Sequence, residues 1–214
     1  MSSPASAFDD KFEVLTAAQA ERVTALYAPL ADSVRDLIEA TILTEADDDA
    51  VAEARAAIES VTHRLRQRTR PVGASYRVNG RPLPLGNAVV GACNPIAPPV
   101  VVHHEADGRC WSEFTLGPAY EGPPGLVHGG VSALVLDHLL GEAASDGLMK
   151  ARFTGTICVK YLRGTPLGPL RSDAWIDRSE GVKVFARGTI SDAEGVTVEA
   201  EGIFIEPAWA REAR

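Results

Sequence analysis

The chain has 214 residues, of which 45% are hydrophobic and 23% charged, the composition of a folded domain with a real core. Twenty-one Lys and Arg stand against 29 Asp and Glu, a net charge of −8. That balance excludes nucleic acid as the main partner, because phosphate backbones need a cationic face, but not a small anionic ligand in a local pocket. Cys93, Cys110 and Cys158 are sparse and far apart, which points to a reducing, cytoplasmic setting without a disulfide framework. No Cys/His spacing suits a metal, the His103-His104 pair being too weak a signal by itself, and no cofactor is expected. The opening MSSPASAFDDKFEV has neither a basic nor an apolar leader segment. The longest run without an ionisable residue, Pro82–Val102, holds five prolines and cannot be a membrane helix.

Composition divides the chain near residue 71, into a helical extension (1–70) and a strand-rich domain (71–214). Thr16 with Gln19 forms a capping-box pattern that opens a first helix. Pro29 suits the first turn of a second, running to about Leu43. Thr44, followed by Glu45, Asp47 and Asp48, marks the start of a third. In that third helix Val51, Ala54, Ile58, Val61 and Leu65 recur at helical spacing. Arg64, Arg66, Arg68 and Arg70 collect at its end, either as a solvated, dipole-compatible terminus or as a contact for ligand phosphate.

Strands follow. Pro99–Glu105 and Arg109–Gly117 flank Ala106-Asp107-Gly108, a hairpin signal. Gly129–Ala144 is apolar nearly all round and predicts a helix buried in the middle of the domain. Thr154–Leu162, Arg171–Arg178, Val182–Ser191 and Val196–Glu206 read as four more strands, the last pair joined by a turn over Asp192–Gly195. Short turns between consecutive strands mean an antiparallel sheet, so the class is α+β, a sheet wrapped on one central helix.

Two features of the helix region carry chemistry. Gly129-Gly130 precedes the most apolar helix, where bare backbone, unpaired N–H donors and the helix dipole suit an oxyanion. Asp137 lies inside Leu134-Val135-Leu136-Asp137-His138-Leu139-Leu140, a costly place for a carboxylate unless it is used or paired, here with His138 as the available partner.

The pattern His128-Gly129-Gly130 with Asp137 nine positions after the His, followed by a strand from Thr154 to Lys160-Tyr161-Leu162-Arg163-Gly164, resembles the hotdog-fold acyl-CoA thioesterases of the PaaI-like type. Gly122-Pro123-Pro124-Gly125 and Cys93-Asn94-Pro95 resemble further parts of that family, and the likeness runs from about Cys93 to Pro207, leaving residues 1–70 outside. The resemblance implies a hotdog fold and thioester hydrolysis. It gives Gly129 the backbone N–H that polarises the carbonyl and places His128 beside it. It makes Asp137 the general base or nucleophile, and Thr154 a hydroxyl that holds the water or the carboxylate, with Thr156 as the neighbour it could be confused with. Where relatives carry Asn or Gln before the His, this chain has Glu121-Gly122, so that contact is missing or comes from Tyr120. Gly130, Arg163 and Arg171 are the substrate-binding candidates, the two arginines because they flank the Gly164–Pro169 loop.

Spacing adds a constraint of its own. Gly129 and Asp137 stand eight residues apart, which on one helix is roughly 12 Å. Both must come within about 3 Å of one reacting group, so Asp137 of one copy is expected to serve Gly129 of another across a two-fold axis. The expectation is a cytoplasmic homodimeric hydrolase with intersubunit sites, a tetramer left open, acting on medium- to long-chain acyl-CoA in fatty acid metabolism. The alternative is a non-catalytic acyl-CoA-binding or sensor protein on the same fold; a hotdog hydratase or dehydratase would use a His base with a different surrounding motif.

Overall fold

The computed structural model describes residues 12–212. The Ser/Ala/Pro-rich residues 1–11, and with them most of the opening MSSPASAFDDKFEV in which no leader is expected, lie outside them.

The capping box opens helix α1 (Ala17–Leu43) as expected: the Gln19 N–H donates to Thr16 Oγ1 at 3.2 Å, and the Thr16 N–H to Gln19 Oε1 at 2.8 Å. Pro29 does not begin a second helix; it sits inside α1. A proline there removes one helical hydrogen bond and costs about 3 kcal/mol in an isolated helix. Tertiary contacts on either side offset it. Ala20 and Ala31 are buried, and Arg35 donates to the Ala97 carbonyl. Thr44 does not cap the next helix either. It closes α1, its N–H donating to the Ala40 carbonyl, and Asp47 caps helix α2 (Asp48–Arg66) by accepting from the Ala50 N–H at 2.9 Å.

A small three-stranded sheet escaped the sequence reading. Strand β1 (Phe12–Leu15) runs parallel to β2 (Ser75–Val78), which pairs antiparallel with β3 (Arg81–Leu83). Asn79-Gly80 turns the hairpin with φ of 51° and 78°, the two-positive-φ turn that Asn-Gly favours. Leu15, Ala20, Tyr76 and Leu85 form its core, so the chain on one side of residue 71 pairs with the chain on the other.

The main sheet has six strands: β4 (His103–His104), β5 (Cys110–Leu116), β6 (Phe153–Tyr161), β7 (Gly168–Glu180), β8 (Lys183–Asp192) and β9 (Gly195–Ile205), with a short helix α4 (Ala208–Glu212) behind them. Their order is β4-β5-β7-β8-β9-β6, antiparallel at every step. The expected hairpin joins β4 to β5, and Asp192 pairs with Gly195 across the expected turn. Helix α3 occupies Gly129–Ala144, the predicted range, and packs against β5 through β9. Val135, Leu136, Leu139 and Leu140 have no exposed surface; each such side chain contributes roughly 1.5–3 kcal/mol relative to exposure. Alternate residues of the strands meet them, Val184, Ala186 and Ile190 of β8 and Val198, Ala200 and Phe204 of β9 among them. Strand β6 crosses from α3 to the far edge beside β9 and is exposed over most of its length. Among the described residues no helix is long and apolar enough to cross a membrane.

Candidate active site

The site grows from the first turn of α3. His128 is its N-cap: the ring Nδ1 accepts from the Gly130 N–H at 3.0 Å, and the His128 carbonyl accepts from Val131 and Ser132. Those bonds satisfy the second, third and fourth donors of the helix. The first, the Gly129 N–H, has no acceptor among the described residues. It sits where the helix dipole favours developing negative charge. A side chain at 129 would stand 3.2 Å from the Tyr161 ring, so glycine lets the aromatic ring close over the turn. The Tyr161 hydroxyl donates to the Gly129 carbonyl at 2.8 Å. Tyr161 was not among the sequence candidates; its place in the Lys160–Gly164 run was the available signal.

Two turns further along α3, half-buried Asp137 accepts a hydrogen bond from Thr154 Oγ1 at 2.9 Å. A bulge decides that it is Thr154 and not Thr156. Thr154 pairs with Phe204 and Thr156 with Ile203, so Gly155 is an extra residue in β6. Cross-strand partners share a face of the sheet. Phe204 is buried against the helix side while Ile203 is on the other face, so Thr154 points at α3 and Thr156 away from it. Without the bulge both would share the outer face.

His138 is not the partner of Asp137. Its Nε2 lies 3.2 Å from Glu142 Oε1, and the other oxygen of this buried carboxylate is 3.4 Å from His104 Nε2. Burial there, then the Glu142 charge, pushes the Cys110 thiol up to about 12. Tyr120 is no substitute for the absent Asn or Gln. Its buried hydroxyl donates to the Ala97 carbonyl at 3.0 Å, and burial raises its pKa. Glu121 accepts from the Gly125 N–H at 2.6 Å, which braces the loop before His128.

The arginine candidates lie apart from this cluster. Arg163 forms a fork with Asp192 and donates to the Gly195 carbonyl; the guanidinium holds the Asp192 carboxyl down at about 2. Arg171 pairs with Asp173 through two bonds of 2.8 and 2.9 Å, reaches Glu113 at 3.1 Å and lies 4.6 Å over the Trp111 ring. Arg171 and Asp192 line an open cavity of about 450 Å³ that none of His128, Gly129, Asp137 and Thr154 lines. No cluster of three His, Cys, Asp or Glu suited to a metal is found among the described residues.

The arrangement is an unpaired donor at a helix tip and, on the same helix, a carboxylate held by a hydroxyl. Eight residues separate them, which is about 12 Å of helix, so one chain cannot bring both to one carbon.

No protein-family model matches the chain. Acyl-coenzyme A thioesterase THEM4 of Xenopus laevis is 34% identical over 110 residues, 49% of this chain and 48% of that protein. The protein of the same name from Bos taurus is 29% identical over 110 residues, 50% of this chain and 45% of that protein. The chain thus spans about half the length of the curated relatives it matches. A crystal structure of a thioesterase superfamily protein is 34% identical, with a TM-score of 0.75, over 84% of this chain and 90% of that one. Coverage of that extent reaches into the first 70 residues, so the likeness does not stop at Cys93 as the motifs alone suggested. With the hotdog architecture in place, an antiparallel sheet around a central helix carrying an N-terminal helical region, this match over nine-tenths of a solved relative shows that the chain belongs to the thioesterase superfamily.

Proposed function

We propose that the protein hydrolyses the thioester of an acyl-CoA to a free acid and CoA, at sites shared between two copies. The observation that carries this reading is the unpaired Gly129 N–H at the tip of the helix that also bears the Asp137–Thr154 pair. The thioester oxygen rests at Gly129 of one copy, with His128 and Gly130 shaping the turn. Asp137 of the other copy takes a proton from water, and the water oxygen attacks the carbonyl carbon. Charge gathers on the carbonyl oxygen at the Gly129 N–H. Collapse breaks the C–S bond, and the departing thiolate takes the proton back from Asp137. If Asp137 attacks directly, the carboxylate displaces the thiolate to give a mixed anhydride, which water then cleaves. Thr154 holds the carboxylate in either course.

Several observations support the remaining parts. Val131, Ile157 and Val159 are half-buried and Leu134 is exposed along the seam between α3 and β6, an apolar lining suited to a medium- to long-chain acyl group. Arg163 and Arg171 are the candidates for the CoA phosphates, each reaching one by loosening from its carboxylate. The exposed edge strand β6 beside the site is a surface a second copy can cover, giving a homodimer or a tetramer built from it. Three free thiols fit a cytoplasmic setting. Residues 71–214 carry the chemistry, and residues 1–70 are an extension tied on by the β1–β2 pairing.

Thiol release over a series of acyl-CoA chain lengths tests the reading. The wild type should release CoA, with the best rates at medium or long chains, and Asp137→Ala should bind acyl-CoA without turnover. Undiminished release by that variant refutes the assignment; tight binding with no release by the wild type makes the protein a sensor instead.

A further inference from the structure

Helix α2 is an element the proposed chemistry does not use. None of its 19 residues is buried. Arg70, just past its end, lies 4.7 Å over the Tyr27 ring and 5.5 Å from the Tyr76 ring, which ties that end to the body of the molecule. Yet α2 is strongly patterned. Val51, Ala54, Ile58, Val61 and Leu65 follow a strict three-four spacing, the seam of a short coiled coil, and the four larger side chains are 40–52% exposed. A helix of this length owes its stability to burial of such a seam.

Charge identifies what covers it. Asp47, Asp48 and Asp49 stand at the first turn, and Arg64, Arg66 and Arg68 at and just beyond the last. From 47 to 70 the five acids (Asp47, Asp48, Asp49, Glu53, Glu59) balance the five arginines (Arg55, Arg64, Arg66, Arg68, Arg70). A helix seated on an anionic membrane needs an excess of cations on its polar face, and this one has none. Its best electrostatic complement is itself, reversed. We propose that α2 pairs antiparallel with α2 of a second copy of this chain. In that arrangement Ala54 faces Leu65 and Ile58 faces Val61 of the second copy, so a small or medium side chain meets a larger one in each of these layers, while Val51 lies opposite position 68, beyond the helix end. The acidic first turn of each helix lies beside the arginines of the other. Parallel pairing would set acid on acid and arginine on arginine. This self-contact uses no residue of the shared active site and does not depend on the proposed reaction.

Cysteine cross-linking in the full chain tests it, in a Cys158→Ser background, since Cys158 is the exposed thiol while Cys93 is half-buried and Cys110 buried. Residues 54 and 65 of one helix are roughly 16 Å apart, too far to form an intrachain disulfide. Under mild oxidation the Ala54→Cys/Leu65→Cys double variant should give a disulfide-linked dimer, and each single variant should not. Adding Ile58→Asp to the double variant should abolish the cross-link, while Ile58→Leu should preserve it. Cross-linking by the single variants, or cross-linking that survives Ile58→Asp, would overturn antiparallel seam pairing. No cross-link in the double variant would overturn it as well, and co-sedimentation with anionic vesicles would then assign the face to a membrane. Thiol release by the same proteins reports separately on the proposed reaction, so either idea can fail without the other.

Discussion

Active-site complementation puts the shared-site geometry at risk most directly. Gly129→Pro removes the unpaired N–H and asks the Tyr161 ring to shift by a few tenths of an ångström. Proline is accepted at the first helical position, where no helical hydrogen bond is lost, and the ring it meets, Tyr161 at 3.2 Å, belongs to a half-exposed side chain that can give. Loss of an oxyanion donor costs ~100-fold or more in turnover, and loss of the base should cost at least as much. Each homodimer, Gly129→Pro or Asp137→Ala, should therefore retain about 1% of wild-type activity or less. In a heterodimer of the two, one site combines both lesions. The other takes its glycine from the Asp137→Ala chain and its carboxylate from the Gly129→Pro chain, and is intact. Two-tag purification of that heterodimer should recover about half of the wild-type rate per dimer. A heterodimer no more active than its parents would refute the reasoning, because a site built within one chain offers no route to recovery.

Two further perturbations test how the site is held. Thr154→Val keeps the shape and removes the 2.9 Å bond to Asp137; hydrogen bonds to charged groups contribute about 1.5–3 kcal/mol, so kcat should fall roughly 10- to 100-fold with KM nearly unchanged. Gly155→Val drives a Cβ to 2.7 Å from Ile205 Cδ1 and disturbs the bulge, so it should reproduce the loss of Thr154→Val, and the double variant should lose no more than the worse single. Additive losses in steady-state kinetics would separate the bulge from the hydroxyl. Cys110 offers a pH signature. Its thiol is held near 12 in the folded state against about 9 in the unfolded chain. Its contribution to stability is therefore intact below pH 9 and is lost as the pH rises through 9 toward 12, by roughly 3 kcal/mol two units above 9. Urea unfolding of wild type and Cys110→Ala should show a stability difference that shrinks over that window; a constant difference would contradict burial as the cause.

What the sequence made legible follows the strength of local patterning. Gly129–Ala144 is apolar nearly all round, opens on Gly129-Gly130 and is followed by Ser145, so both its limits and its central place could be read. In β8, Val184, Ala186, Gly188 and Ile190 alternate with Lys183, Phe185, Arg187 and Thr189, and the first set is the buried face. The small sheet was hidden because β1 is four residues long and pairs with a strand some sixty residues away, although Asn79-Gly80 announced its hairpin. Pro29 misled because its local cost is offset by contacts from distant residues, which no window of sequence contains. Among the candidates, His128, Gly129, Gly130, Asp137 and Thr154 fall along one helix and the strand beside it. Tyr161, which closes over Gly129, stands in the Lys160–Gly164 run, but nothing local in that run shows that its hydroxyl reaches the Gly129 carbonyl. Asp192 and Glu113, which engage Arg163 and Arg171, stand far from them along the chain, so their engagement was not legible there, whereas Asp173, two residues from Arg171 on the same strand, was a local signal.

Strand β6 has two roles that constrain each other. It is one of the two edges of the main sheet, and it grips α3 at both chemical groups: Thr154 at Asp137 and Tyr161 at the Gly129 carbonyl. The bulge at Gly155 makes that double grip possible, because seven residues of regular pleat would put residues 154 and 161 on opposite faces, and one inserted residue puts both on the side of the helix. The strand that positions the carboxylate and braces the donor turn is thus also an edge strand exposed in a single chain. In the proposed dimer a second copy seated along that edge would restrain the donor turn of one site and the carboxylate of the other through a single rigid element. Assembly would then set the register between Gly129 and the opposing Asp137, and a change that shifts β6 should weaken both sites of the dimer together.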